Sequence, residues 1–186
     1  HCSVRRQRQM CIRDRRTSNE IMILHELVNP QIVSVADVIQ TGGRLYIVTE
    51  KGGQDLFEFF DEHPDGVPES WAREIMKRIL KGVHYCHENQ ICHRDLKPEN
   101  ILVAFNTEEG YCDDLKLCDF GLATGLNAMT TALHSTRDAA AGGGTLAYLA
   151  PESFDDEFTT ASEVFAFSVI AWELLTCQVP WATNPH

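Results

Sequence analysis

The sequence is organised around one run of eight residues, His93-Arg94-Asp95-Leu96-Lys97-Pro98-Glu99-Asn100. Two shorter runs follow it, Asp119-Phe120-Gly121 and Ala150-Pro151-Glu152. Each run alone is a weak signal, because short motifs of this kind also occur in turns and on charged surfaces. Together, in this order, they are a strong signal, and they decide the fold and the chemistry that we predict.

In this order the three runs resemble the catalytic loop, the magnesium loop and the end of the activation segment of eukaryotic protein kinases. The resemblance extends from about Thr17 to the C-terminus. It implies an α+β, protein-kinase-like fold with two lobes, here truncated: a partial N-lobe with helix C and strands four and five, and an incomplete, mainly helical C-lobe. Residues 17–49 would be the N-lobe remnant, 50–53 the hinge, and 54–186 the C-lobe through helix F.

The composition is that of a globular protein. Of the 186 residues, 44% are hydrophobic and 23% are charged, which suits one domain with a sizeable core. No apolar run approaches the length of a membrane span, and the basic N-terminus lacks the apolar segment of a secretory signal. The formal net charge of −11 argues against general nucleic-acid binding and is compatible with basic partners.

Residues 1–16 differ from the rest of the chain, since they hold six arginines and one acidic residue without a periodic apolar pattern. The segment from Gln9 to Asp14 back-translates as CAGATGTGTATAAGAGAC, which resembles the transposon end used to prepare sequencing libraries. We therefore expect residues 1–16 to be a non-native leader, a translated adapter; the alternative is a basic disordered tail. Without them Lys plus Arg falls to 10, Asp plus Glu falls to 26, and the net charge becomes −16.

The apolar pattern predicts the elements of the N-terminal part. Residues 20–27 are typical of the end of an amphipathic helix, and Asn29-Pro30 ends it. Two strands should follow, over residues 32–35 and 45–48. By the resemblance, Glu20 is the glutamate of helix C.

The rest of the chain is predicted to be mainly helical. A short helix covers residues 55–60, and a longer one starts at Pro68 with one apolar face, formed by Trp71, Ile75, Ile79 and Val83. Two short strands cover residues 101–103 and 115–118. Residues 164–175 are apolar nearly all round, so we expect a helix buried on most sides, which corresponds to helix F. Glu163 stands where helix F usually opens with Asp, and we expect its longer side chain to misplace the hydrogen bonds that brace the catalytic loop.

The resemblance assigns the chemistry to four side chains. Phosphoryl transfer needs reactants held in line and charge neutralised, with little covalent work from the protein. Asp95 would accept the proton of the acceptor hydroxyl, and Lys97 would neutralise charge on the transferring group. Asn100 and Asp119 would ligate magnesium, because a hard cation prefers oxygen ligands. The implied cofactors are therefore ATP and Mg²⁺.

Other residues receive binding or supporting roles by the same resemblance. The nucleotide pocket would be lined, beside Lys97, Asn100 and Asp119, by Glu50, Gly52, Asp55 and Leu102. His93 and Phe120 would stack with Leu24 and Val35 into the regulatory spine that links the lobes. Glu152 normally pairs with an arginine further along the chain.

Arg94 implies control by phosphorylation. A kinase with arginine before the catalytic aspartate commonly has an activation loop ordered by charge-assisted bonds to a phosphate. Ser135 and Thr136 are the preferred acceptors by position, and the open alternative is that neither is used.

Five cysteines lie outside the leader, and none forms a C-x-x-C pair. Cys86, His87, Cys92 and His93 are close in sequence and suggest a metal site, but their spacing fits no common zinc pattern. Reduced thiols are the simpler interpretation, and they predict a cytoplasmic or nuclear protein.

The predicted function is ATP-dependent phosphorylation of serine and threonine hydroxyls in protein substrates. Lys97 and Thr145 resemble serine/threonine kinases more than tyrosine kinases. Asp55, Glu99 and Glu173 fall where basic-directed kinases keep acidic side chains, so basic substrates are expected. We expect no nucleic-acid partner and no membrane span, and the sequence does not indicate an oligomeric state.

No glycine-rich loop and no strand-three lysine precede Glu20, and both are needed for activity. We therefore expect the 186-residue chain to be inactive alone. Two other functions stay open: a pseudokinase or scaffold that binds partners without phosphoryl transfer, and a small-molecule phosphotransferase of related fold. The intact Asp95 and Asp119 argue against the first, and the run from Thr145 to Glu152 disfavours the second.

Overall fold

We describe the chain from a computed structural model, which covers residues 15–42, 44–106, 108–126, 145–155 and 157–181. These residues form four α-helices and seven β-strands, and the strands are arranged in three small sheets. The predicted α+β class is confirmed. Within the described ranges, no helix combines the length and the apolar character that a membrane span needs.

The N-terminal part contains one helix and one hairpin. Helix α1 (Arg15–Glu26) ends just before the Asn29-Pro30 stop, as predicted. Strands β1 (Val35–Thr41) and β2 (Arg44–Thr49) pair antiparallel. The second predicted strand is confirmed, whereas the first begins only where we expected it to end.

The segment before β1 takes part in a different contact, which explains that difference. Ile32 is only 2% exposed and bridges Leu117 in parallel orientation. The amide of Leu117 donates to the carbonyl of Gln31 at 2.8 Å, and the amide of Val33 donates to the carbonyl of Leu117 at 3.0 Å. The apolar residues at 32 and 33 therefore join the N-terminal part to the strand that leads into Asp119.

A three-stranded sheet and two helices form the middle of the chain. Strands β3 (Gln54–Asp55), β5 (Ile101–Asn106) and β6 (Tyr111–Leu117) pair antiparallel in that order. Helix α2 covers Leu56–Asp61 and helix α3 covers Glu69–Glu88. Pro68 lies at the N-cap of α3 and not inside it, so the predicted start is displaced by one residue.

Two very short strands, β4 (Ile91–Cys92) and β7 (Thr124–Gly125), pair with each other. They enclose the two functional runs, since the chain enters the first through β4 and leaves the second into β7. Single 3₁₀ turns cover Pro98–Asn100, Phe120–Leu122, Thr145–Tyr148 and Pro151–Asp155. The functional runs are therefore held by short elements at both ends.

Helix α4 (Thr160–Thr176) starts with a capping box, in which Thr159 and Ser162 exchange hydrogen bonds between side chain and backbone. Its inner face includes Ile170 and Leu174, both fully buried. Its outer face is apolar but exposed, at Val164, Trp172 and Leu175. These exposed residues lie on one stripe of the helix, and most other positions over residues 164–175 are buried or half-buried, so the expected burial on most sides is confirmed among the described residues. Composition predicts that a helix can be buried, but neighbours decide which of its faces is covered.

One continuous hydrophobic core joins the elements. The predicted α3 face is buried at Ile75, Ile79 and Val83, while Trp71 packs against the core only in part. Helix α3 packs on β6 and on α4, so it fixes the strand before Asp119 and the helix that carries Glu163. This packing positions the site described next.

Candidate active site

Residues 93–100, the catalytic loop, are fixed to helix α4 through a buried carboxylate. Arg94 has a left-handed backbone, with φ of 64°, a conformation that costs a non-glycine residue about 1–3 kcal/mol. Its amide donates to Oε1 of Glu163 at 2.7 Å, and Oε2 of the same carboxylate lies 2.6 Å from Nε2 of His87. Glu163 is 4% exposed. Our expectation that its longer side chain would misplace these bonds is wrong, because both carboxylate oxygens reach a partner.

Asp95 is oriented through only one of its two carboxylate oxygens. Oδ2 lies 3.0 Å from Nζ of Lys97 and accepts a hydrogen bond from Nδ2 of Asn100 at 2.9 Å. Oδ1 is buried and accepts no hydrogen bond from the described residues. Asp95 also lines a small cavity together with Tyr148 and Ser153. A buried carboxylate oxygen without a hydrogen-bond donor destabilises the folded state, and such oxygens are typical of reactive groups.

Asn100 supports Asp95 twice and also joins the loop to the second run. Its Nδ2 donates to Oδ2 of Asp95 and, at 2.7 Å, to the Asp95 carbonyl. Its own carbonyl accepts the amide of Cys118 at 2.9 Å, one residue before Asp119. Because Nδ2 makes both side-chain bonds, Oδ1 is the atom of Asn100 that can ligate a cation. The bond between the Cys118 amide and the Asn100 carbonyl brings the backbones of both predicted magnesium ligands close together. Asp119 itself has a left-handed backbone, with φ of 64°.

His93 is a buried, neutral side chain. Its Nε2 lies 3.0 Å from the Cys118 carbonyl, which can only accept. Its Nδ1 lies 3.3 Å from the Asp95 amide, which can only donate. The proton is therefore on Nε2 and the ring carries no charge. The ring centroid lies 4.6 Å from that of Phe120, so the predicted spine pair is in contact.

Helix α1 places Glu20 beside the second run. A Cβ atom on Gly121 would lie 3.2 Å from Oδ1 of Asp119 and 3.7 Å from Oε2 of Glu20. Nδ2 of Asn19 donates to the carbonyl of Ala123 at 2.7 Å. The carboxylates of Glu20 and Asp119 therefore approach the same glycine, where a side chain would crowd Asp119.

The predicted hinge is held by close backbone packing. A Cβ on Gly52 would lie 2.4 Å from Cδ1 of Leu102, and a Cβ on Gly53 would lie 1.9 Å from the carbonyl oxygen of Val103. Both positions therefore exclude any side chain. Leu102 is 6% exposed, and Gly52 lies directly against it. A glycine pair is often read as a flexible segment, but these glycines permit a tight approach to β5.

The other two predicted pocket residues have structural partners. Oδ1 of Asp55 accepts the amide of Glu58 at 2.8 Å and caps helix α2. Oε1 of Glu50 accepts the amide of Ser34 at 2.8 Å. The structure therefore gives both carboxylates a role in holding the chain at this crossing.

Lys116 is a functional residue that the sequence analysis missed. It is 9% exposed, and its Nζ lies 3.1 Å from the carbonyl of Pro30, 3.2 Å from Glu50 Oε2 and 3.5 Å from Asp114 Oδ2. It therefore ties the N-terminal part, the hinge and β6 together. The sequence offered no local signal, because a lysine between two strand leucines normally points to the face opposite theirs.

We expect Lys116→Met to lower the free energy of unfolding by about 1–2 kcal/mol, because the Pro30 carbonyl and the Glu50 carboxylate lose their donor. The value stays small because Glu50 and Asp114 are partly exposed. Urea denaturation of the chain measures it, with the exposed Lys81→Met as control. An unchanged midpoint in Lys116→Met would contradict the assignment.

The same junction predicts a pH dependence. Partial burial raises the pKa of Glu50, but the hydrogen bonds from Ser34 and the charge of Lys116 outweigh it and lower the pKa from its ordinary 4.5. The ionised Glu50 carboxylate therefore stabilises the folded state above pH 4.5. This stabilisation is lost as the pH falls through the lower pKa that Glu50 has in the folded state. Lys116→Met should weaken this acid-induced loss of stability.

An acidic group lies beside the catalytic loop. Oη of Tyr148 donates to Oε2 of Glu173 at 2.6 Å. Burial, and next the hydrogen bond to Glu173, raise the pKa of Tyr148. Burial also raises the pKa of Glu173. The charge of Glu99 raises the pKa of both groups.

Glu152 was predicted to pair with an arginine. In the structure its Oε1 accepts a hydrogen bond from the hydroxyl of Ser162 at 2.7 Å.

The predicted phosphorylation sites, Ser135 and Thr136, lie outside the described residues, as do residues 1–14 of the predicted leader. The guanidinium carbon of Arg94 lies 4.0 Å from the ring centroid of Phe158, so part of its charge is used in a cation–π contact. The control role of Arg94 therefore stays a prediction.

Comparison with known proteins gives a consistent result. A family model described as a protein kinase domain matches residues 3–186. Calcium-dependent protein kinase 6 of Plasmodium berghei (strain Anka) is 36% identical over 173 residues, which are 92% of this chain and 11% of that protein. Serine/threonine-protein kinase TIO of Arabidopsis thaliana is 33% identical over 166 residues, 89% of this chain and 12% of that protein. SNF-related serine/threonine-protein kinase of Homo sapiens is 32% identical over 168 residues, 87% of this chain and 20% of that protein. The chain thus spans about a tenth to a fifth of the length of these relatives.

Proposed function

The chain belongs to the protein kinase domain family, and on that premise we propose that its protein transfers the γ-phosphoryl group of ATP to serine or threonine hydroxyls of protein substrates. The relatives described above are named as protein kinases, two of them as serine/threonine kinases. The observation that carries the proposal is the state of Asp95. One oxygen is fixed by Lys97 and Asn100, and the other is buried and accepts no hydrogen bond from the residues that the structure describes.

This geometry suits proton transfer during phosphoryl transfer. As the substrate hydroxyl oxygen bonds to phosphorus and the bond to the leaving oxygen breaks, the hydroxyl proton passes to Oδ1 of Asp95. Lys97 keeps the other oxygen in place, so the carboxylate need not reorganise at the moment of reaction. Lys97 is also near enough to the reacting carboxylate to place positive charge at the transferring group.

The donor set fits a magnesium ion. Asn100 has an amide carbonyl and Asp119 a carboxylate, the oxygen ligands that Mg²⁺ prefers. These two residues would hold the ion, which would neutralise charge on the phosphates when bound. Asn100 also orients Asp95 through its Nδ2, so one side chain serves the proton acceptor and the cation.

The proposal is tested with γ-labelled ATP, Mg²⁺ and a mixture of protein acceptors, using protein made from the complete coding sequence. We expect the label on phosphoserine and phosphothreonine after acid hydrolysis of the acceptors. Label found only on tyrosine, on a small molecule or as free phosphate would contradict the proposal.

We further propose that the substrates are basic. Glu173 is buried and accepts a hydrogen bond from the hydroxyl of Tyr148. Glu99 is exposed and lies close enough to Glu173 for its charge to raise the pKa of Glu173. Two carboxylates at the edge of the catalytic loop create a negative potential that attracts an arginine or lysine of a substrate. The acidic charge balance of the whole chain acts in the same direction.

Glu99→Gln should lower kcat/KM for an arginine-containing peptide about tenfold, which corresponds to about 1.4 kcal/mol and to the loss of one charge-assisted hydrogen bond. The matched peptide with alanine in place of arginine should be affected much less. Glu108→Gln, an exposed change on the loop between β5 and β6, is the control. Equal losses for both peptides would contradict recognition of the basic residue by Glu99.

A further inference from the structure

Three side chains with metal-binding atoms meet outside the catalytic centre. They are His87 at the end of α3, Cys92 in β4 and Glu163 in the first turn of α4. A ring nitrogen of His87, Sγ of Cys92 and a carboxylate oxygen of Glu163 all lie within 4.8 Å of one another. Cys92 is fully buried, Glu163 is 4% exposed, and the His87 side chain is 18% exposed.

The sequence pointed only to part of this group. Of the four residues that are close along the chain, His93 faces elsewhere, because both of its ring nitrogens have backbone partners. Glu163, which lies 76 residues after His87, completes the group through a contact with it. A sequence pattern based on local spacing cannot find a ligand that arrives from a distant helix.

The donor set is one imidazole nitrogen, one thiol sulfur and one carboxylate oxygen. Zn²⁺ uses these three ligand types in tetrahedral sites, with a water or substrate as the fourth ligand where only three come from the protein. We propose that His87, Cys92 and Glu163 form a site for Zn²⁺.

The site requires only a local adjustment. Zn–N and Zn–O distances of about 2.0–2.2 Å place tetrahedral nitrogen and oxygen ligands about 3.3 Å apart, whereas His87 Nε2 and Glu163 Oε2 are 2.6 Å apart. The two side chains therefore need to separate by several tenths of an ångström. The remaining oxygen of Glu163 keeps its bond from the Arg94 amide, an outer contact that orients the ligand.

Electrostatics set the cost of binding. Burial, and next the charge of Glu163, raise the pKa of Cys92 to about 12, so the ion must displace the thiol proton. A bound dication offsets the Glu163 charge and favours the thiolate. The partly exposed ring of His87 gives the ion its way in.

Cobalt(II) is the probe, because it reports thiolate ligation through a sulfur-to-metal charge-transfer band without any activity measurement. The full chain is titrated under a phosphine reductant with excess Mg²⁺, which occupies oxygen-rich sites. We expect one equivalent of tetrahedral, thiolate-bound Co²⁺ that Zn²⁺ displaces, together with a Zn²⁺-dependent rise in Tm.

Cys92→Ala and His87→Gln should each weaken binding by at least about tenfold, since even losing an outer contact has an effect of that size. The controls are Cys112→Ala, a buried thiol in β6, and His84→Gln, an exposed histidine of α3; both should bind as wild type does. His87→Gln decides the result if Cys92→Ala does not fold. Absence of a thiolate band in wild type, or a band that survives His87→Gln unchanged, overturns the proposal.

Discussion

Asp95→Asn is expected to lower kcat by about two to four orders of magnitude, the contribution of a positioned proton acceptor, while the KM for ATP changes little. Asparagine has the same shape, but its two side-chain atoms are no longer equivalent. Lys97 and Asn100 both present donors to one side of residue 95, so the amide oxygen must face them. The amide NH₂ then takes the place of Oδ1, and a donor stands where an acceptor is required.

Steady-state kinetics on protein made from the complete coding sequence, with one acceptor peptide and varied ATP, measure the effect. Asp113→Asn is the matched control, because it makes the same chemical change on an exposed residue of β6. A kcat for Asp95→Asn within about tenfold of wild type would contradict the role of Asp95 as proton acceptor. If Asp95→Asn raised the KM for ATP by as large a factor as the expected fall in kcat, Asp95 would instead act in nucleotide binding.

The catalytic loop could be predicted from sequence because its important contacts are local. Asp95, Lys97 and Asn100 lie within six consecutive positions, and the 3₁₀ turn at Pro98–Asn100 folds them onto one another. The motif therefore specifies both the residue types and most of the geometry between them. Helix α3 was predictable for a similar reason, since its apolar face repeats every turn.

The contacts that support the loop were not predictable, because they join residues far apart in the chain. Lys116 contacts Pro30, 86 residues earlier, and Glu163 contacts Arg94, 69 residues earlier. Nothing local distinguishes these side chains from surface charges. The length of Glu163 suggested a misfit only because the distance between α4 and the loop could not be known from sequence.

Two other differences have the same origin. The apolar residues Ile32 and Val33 have the composition of a strand, yet they pair with the end of β6 and the hairpin strand begins at Val35. Glycine pairs such as Gly52-Gly53 often mark flexible segments, but β5 passes so close to this pair that any side chain would collide with it. In both cases tertiary contacts override what the residue type alone favours.

Glu163→Ala is expected to lower the free energy of unfolding by about 3–5 kcal/mol, because two hydrogen bonds to a buried carboxylate are lost and each such bond contributes about 1.5–3 kcal/mol. The change leaves the partly exposed His87 ring without its acceptor and the Arg94 amide without a partner. Because Arg94 is held in a left-handed conformation, losing that bond also removes the contact that offsets its backbone strain. We therefore expect the catalytic loop to lose order along with the stability of the chain.

Urea denaturation of the full chain measures the loss as a shift in midpoint at constant m-value. Glu163→Gln should be milder, at about 1–2 kcal/mol, since its amide oxygen can still accept the Arg94 amide and its NH₂ can face a His87 ring that carries its proton on the other nitrogen. Glu157→Ala, an exposed change just before α4, should stay within about 0.5 kcal/mol of wild type. If Glu163→Ala matched that control, the carboxylate would not brace the loop. If Glu163→Gln were as damaging as Glu163→Ala, the charge of Glu163 would matter more than its hydrogen bond to Arg94.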